Sequence, residues 1–141
     1  MAEPPAGARR LGGAIINGVS WDVDITAHNP SWLSEIRVGI TNTTDVFSGI
    51  FLTPGVGNGA PGQGVFSSNG ILKFADIGVP DFVLAADGIL RFHFFEGYDD
   101  VSIDPDGTWN SGTIGVQYVP APSALALLGL GGLAAARRRR A

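Results

Sequence analysis

Five carboxylates fall within eleven residues of this chain: Glu96, Asp99, Asp100, Asp104 and Asp106. They follow the apolar run Leu90 to Phe95, and Asp104-Pro105-Asp106-Gly107 joins acidic oxygens to the glycine of a bending loop. Calcium takes roughly six to eight oxygen ligands and favours such a loop. The spacing lacks the third acidic position and the closing glutamate of an EF-hand. A solvated acidic turn is therefore the first expectation, and a calcium site the alternative. Two tryptophans, Trp32 and Trp109, lie among turn-forming residues and offer aromatic faces on which a sugar ring could stack, whereas Trp21 alternates with Val23 and Ile25 and is expected in the core.

Other chemistry is poorly served. The chain has no cysteine, which removes disulfides, zinc–thiolate centres and thiol nucleophiles together. Its two histidines, His28 and His93, stand in neither HExxH nor HxH spacing, and no GxSxG is present. A small hydrolase would have to bring Glu35 or Glu96 against a second acid, which linear spacing does not do. The chain is expected not to be an enzyme. Setting the four terminal arginines aside leaves five basic against thirteen acidic residues, a net charge of −8 on the body. Nucleic acid is excluded as a partner, because phosphate contacts need clustered Lys and Arg. The glycine-rich stretch Thr53 to Gly64 has no GxxxxGK[ST] pattern and is expected to be a mobile loop. Asn42-Thr43-Thr44 fits a glycosylation sequon, a pattern common by chance.

The elements that must position these residues are strands. Trp21, Val23, Ile25 and Ala27 alternate with polar residues, as do Ile36, Val38 and Ile40, then Leu90, Phe92 and Phe94, then Ile114, Val116 and Tyr118. Period two marks half-buried strands. Val46 to Leu52 is a more continuous apolar run suited to a central strand, and Ser31 to Glu35 has room for one helical turn. Asp87-Gly88 predicts a tight turn joining Phe82–Leu84 to Ile89–Glu96 as a hairpin. Short strands separated by Gly, Pro, Asn and Asp clusters predict an all-β fold, a small β-sandwich over residues 15–118. The stretch Leu90 to Tyr118 loosely resembles the closing strands of jelly-roll modules such as proprotein-convertase P-like domains, which tilts the expected topology toward a jelly roll.

Residues 119–141 read differently. Val119-Pro120-Ala121-Pro122-Ser123 leads into Ala124 to Ala136, thirteen residues without a charge, and then Arg137, Arg138, Arg139 and Arg140. As a helix the apolar segment would be about 20 Å long, short of a hydrocarbon core of about 30 Å. A short hydrophobic helix with snorkelling arginines suits a transient inner-membrane anchor with its C-terminus on the cytoplasmic side. The order of parts resembles the PEP-CTERM sorting signal of Gram-negative bacteria. That resemblance implies recognition at Pro120, Ala121 and Pro122 by an exosortase-type processing enzyme, membrane retention by Arg137 to Arg140, and a host that makes exopolysaccharide. Ala121 stands where the family's motif has Glu. Upstream, Arg9-Arg10 precede too short an apolar run for a secretory leader, so residues 1–14 are expected to be a disordered segment or to follow a misassigned start. The expected protein is an exported cell-surface or extracellular-matrix module of structural or adhesive type, with no cofactor unless calcium binds. A calcium-dependent carbohydrate-binding module is the alternative.

Overall fold

The computed structural model describes residues 11–98 and 105–121. Among these residues eight strands form two antiparallel sheets: β1 (Ile15–Ala27), β2 (Ile36–Thr41), β3 (Gly49–Leu52), β4 (Gly62–Ser67), β5 (Leu72–Lys73), β6 (Phe82–Val83), β7 (Arg91–Glu96) and β8 (Gly107–Val119). A 3-10 turn, Leu33–Glu35, precedes β2, and one turn of helix, α1 (Phe74–Ile77), follows β5. The apolar helix expected after Ser123 lies outside the described residues.

The first sheet is built on β1. Along one edge β1 pairs in succession with β6, β5 and β4, and along the other it pairs with β8 over its whole length. The second sheet has the order β3-β2-β7. One core cluster draws Ile16 and Val19 from the first sheet and Val38, Ile40 and Ile50 from the second, so the sheets share an interior. Phe74 and Phe82 complete it, stacked with ring centroids 6.4 Å apart. Val23, Ile25, Ala27, Leu33 and Ile36 form a second cluster, and Trp21, Trp109 and Ile114 pack against both.

Two bulges shape the first sheet. Ile16 pairs with Tyr118 and Gly18 with Gln117, which leaves Asn17 as the extra residue on β1. The buried set changes parity there, from Ala14 and Ile16 to Val19, Val23, Ile25 and Ala27. A one-residue insertion flips every later side chain, so period two holds on each side of Asn17 but not across it. Asn110 is the matching extra residue on β8.

Several expectations are corrected. Phe82–Val83 and Arg91–Glu96 do not form a hairpin: β6 pairs with β1 and β7 with β2. The Asp87-Gly88 turn exists, with Gly88 N–H donating to the Ala85 carbonyl at 3.0 Å, but it carries the chain from one sheet to the other. The Asp87 carboxylate accepts from the Thr43 hydroxyl and from Ile89 N–H, bracketing the turn to the β2–β3 loop. Val46 to Leu52 is not a central strand. Only Gly49–Leu52 pairs, at a sheet edge, and Phe47 is 80% exposed. Thr53 to Gly64 is tied down through its backbone: Leu33 N–H donates to Ala60 at 3.0 Å and Ser34 N–H to Asn58 at 3.1 Å. A loop poor in anchoring side chains is thus held by carbonyls that composition does not reveal. Asn42 of the sequon is buried, its Oδ1 accepting from Asp45 N–H at 2.9 Å and its Nδ2 donating to the Val83 carbonyl at 3.1 Å. That side chain organises a loop and presents no free amide.

Packing also reaches past the expected body limits of 15 and 118. Ala14 is fully buried and Leu11 lies against the first cluster, while Val119 still pairs with Ile15.

Candidate functional site

The sorting segment grows directly out of β8. Its last rungs are Ile16 with Tyr118 and Ile15 with Val119. Pro120 has no amide hydrogen to continue the ladder, so the strand stops there. Pro120 is exposed, whereas Ala121 is 5% exposed and lies beside Gly13. Pro122 and the arginines Arg137, Arg138, Arg139 and Arg140 lie outside the described residues.

A groove opens between β7, at an edge of the second sheet, and β8, at an edge of the first. It measures about 340 Å³ and is lined by the side chains of Phe92, Phe94, Trp109 and Ile114, with Gly112 between the last two. Register explains its apolar floor. Phe92 and Phe94 pair with Ile40 and Val38 and share their inward face, yet they are 39% and 51% exposed, since β7 is an edge strand among the described residues. Trp109 meets Phe94 edge to face with centroids 5.0 Å apart. Gly112, opposite Val23, contributes no side chain to fill the space. Exposed aromatic faces of this kind suit the C–H face of a sugar ring. Of the two tryptophans marked out for stacking, Trp109 lies in this groove, and Trp32, 49% exposed, lies instead over Gly59. Phe92 and Phe94 escape sequence reasoning, because alternation marks them as inward without showing that the inward face is uncovered.

The acidic cluster is described only at its ends. Glu96 closes β7, and its carboxylate lies 2.6 Å from where a Cβ on Gly107 would stand, so the missing side chain leaves room for that carboxylate. Asp106 is 6% exposed, and its carbonyl accepts from His28 N–H at 2.7 Å. Glu96 and the Asp106-Gly107 pair are thus neighbours, while Asp99, Asp100 and Asp104 lie outside the described residues. Among the described residues, no three of His, Asp and Glu converge as a metal site. Glu35 lies near Glu96 along the backbone, since Gly97 N–H donates to its carbonyl at 2.8 Å, but its carboxylate accepts from Trp32 N–H at 2.8 Å.

The outer face of the first sheet carries a polar network centred on Asp24. Its carboxylate accepts from Asn110 Nδ2 at 3.0 Å and from Gln63 Nε2 at 2.9 Å, and Asn110 also donates to Thr26 at 2.8 Å. The bulge thus re-aims Asn110 across β1. These bonds, Asn110 first, hold the Asp24 carboxyl below its ordinary value. The Thr43 hydroxyl, then Ile89 N–H, do the same for Asp87. A carboxylate with a depressed folded pKa contributes stability above its unfolded pKa and loses it as pH falls through the folded value. The melting temperature should therefore drop on acidification below about pH 4, and the Asp24→Asn, Asp87→Asn double variant should show a shallower drop, read by thermal melts across that range. Equal slopes would refute this account of the two carboxylates.

A second cleft of about 300 Å³, lined by Lys73, Asp81, Gln117 and Tyr118, adjoins Val119 at the start of the sorting segment. No helix among the described residues is long and apolar enough to cross a membrane. Residues 119–140 match the PEP-CTERM protein-sorting motif. No curated protein and no solved structure matches the chain. The motif indicates an exported protein sorted by its C-terminal tail, a kind of tail handled in general by exosortase-type enzymes.

Proposed function

We propose that this bearer of a PEP-CTERM tail is a non-catalytic β-sandwich module delivered to the cell surface or extracellular matrix, where it serves a structural or adhesive role among exopolysaccharide. The observation that carries the reading is the match over residues 119–140, attached without a linker to the final strand of a two-sheet body. In this scheme the apolar segment Ala124 to Ala136 holds the protein transiently in the inner membrane, Arg137 to Arg140 keep its end on the cytoplasmic side, and an exosortase-type enzyme acts near Pro120 to Pro122. The test is fractionation of cells expressing the protein with a tag inserted in the body. Shortened protein outside the inner membrane, lost on deletion of the processing enzyme, supports the reading. Full-length protein in the cytosol overturns it.

One observation favours a more specific role in saccharide contact. The Phe94–Trp109 pair leaves an aromatic groove open at the sheet edges. Trp109 also packs against both core clusters, so Phe94, half exposed, is the cleaner residue to remove. An aromatic contact worth about 1 kcal/mol corresponds to about a fivefold change in affinity. Phe94→Ala should weaken binding to the host's polysaccharide by about that factor while changing the melting temperature little, as measured by isothermal titration with and without calcium. Unchanged affinity would remove the groove from the reading. Calcium dependence would favour the version in which Glu96 and Asp106 hold a metal together with Asp99, Asp100 and Asp104.

A further inference from the structure

The middle residue of the sorting segment is folded into the body. Once Pro120 has ended β8, the chain brings the Ala121 methyl over Gly13, 3.2 Å from where a Cβ on that glycine would stand. Gly13 is held in place. Its φ is +73°, a left-handed value that favours glycine, and its N–H donates to the Leu84 carbonyl at 3.2 Å. Beside it Ala14 is wholly buried and Leu84 is 3% exposed. Ala121 is 5% exposed, so the seat encloses a small side chain, of alanine or cysteine size. A glutamate there would have to lose its water against an apolar floor, or lift the end of β8 away from β1.

We infer that Ala121 is a seating residue through which the body masks its own sorting segment, and that alanine replaces the family's glutamate because this seat cannot take a carboxylate. Access to the segment then requires fraying of the last β1–β8 rungs, Ile15–Val119 and Ile16–Tyr118. Strand ends open locally at far lower cost than the whole domain unfolds, so such a mask slows recognition without forbidding it. The consequence for processing rests on the exported reading proposed above. The seat itself does not.

The absence of cysteine allows single-thiol probes of the full chain. In the folded protein, the thiol of Ala121→Cys should react with a neutral maleimide at least tenfold more slowly than that of Pro120→Cys, and the two rates should converge in denaturant. Adding Gly13→Ala to Ala121→Cys places a methyl in the seat and should speed labelling at least fivefold. Equal rates for the two folded thiols would overturn the inference. In cells that process such tails, Gly13→Ala alone should accelerate appearance of the shortened protein, although its motif is unchanged. Accelerated labelling with unaltered processing overturns the masking. Protected labelling with no processing of any variant upholds the seat and counts against the sorting reading instead.

Discussion

Phe74→Ala should lower the stability of the body by about 3–5 kcal/mol, the usual cost of deleting a large buried aromatic side chain. Phe74 has no exposed surface and stacks on Phe82, and its cluster holds residues of both sheets. Its position in a single helical turn means that no ladder of backbone hydrogen bonds holds the ring in place. The ring is held by packing, and its removal leaves a cavity that the short β5 and β6 strands cannot close. A domain of this size is typically stable by about 5–15 kcal/mol, so the loss would bring it near the folding threshold. Urea titration reads the effect, and Ile77→Ala, in the same turn but 48% exposed, is the matched control and should cost under about 1 kcal/mol. A difference between the two variants smaller than about 1 kcal/mol would mean that the Phe74 cluster does not hold the sheets together.

On the sorting route proposed above, replacing Arg137, Arg138, Arg139 and Arg140 by serine should abolish retention of the tail at the cytoplasmic face while leaving the melting temperature of the body unaltered. Guanidinium groups cost about 2.5–3.5 kcal/mol each to place at the centre of a bilayer, and four in series make a firm stop. Without them, a thirteen-residue apolar segment is too short to hold a stable span, and the protein should leave the inner membrane unprocessed or be degraded. Pulse-chase fractionation distinguishes the cases. Wild-type kinetics of shortening in the serine variant would show that the arginines take no part in sorting.

Legibility followed the range of the interactions. The alternation of Val23, Ile25 and Ala27, or of Ile36, Val38 and Ile40, was readable because burial of one sheet face imposes period two directly on neighbouring residues. The 3-10 turn at Leu33–Glu35 fell inside the window expected for a single helical turn. The tail was the most readable part, since its parts are contiguous in the chain and match the sorting motif over residues 119–140. Pairing was not readable. Asp87-Gly88 looks like a hairpin turn, yet its carboxylate is used by Thr43, 44 residues away, and the flanking strands belong to different sheets. Likewise Asn17 and Asn110 give no local sign of being bulges, because a bulge is a relation between two strands.

The candidate groove shows the same division. Trp109 could be singled out from its type and setting, but Phe92 and Phe94 could not, since only the order β3-β2-β7 makes β7 an edge and leaves inward rings uncovered. Side-chain chemistry, charge balance and the sorting tail were determined by the sequence itself, for each is a property of residues and their near neighbours. Tertiary structure alone decided which strand neighbours which, where the core remains open, and that Ala121 meets Gly13. Those outcomes depend on contacts between residues distant in the chain, whose energies sum over the whole fold and leave no periodic trace in any one segment.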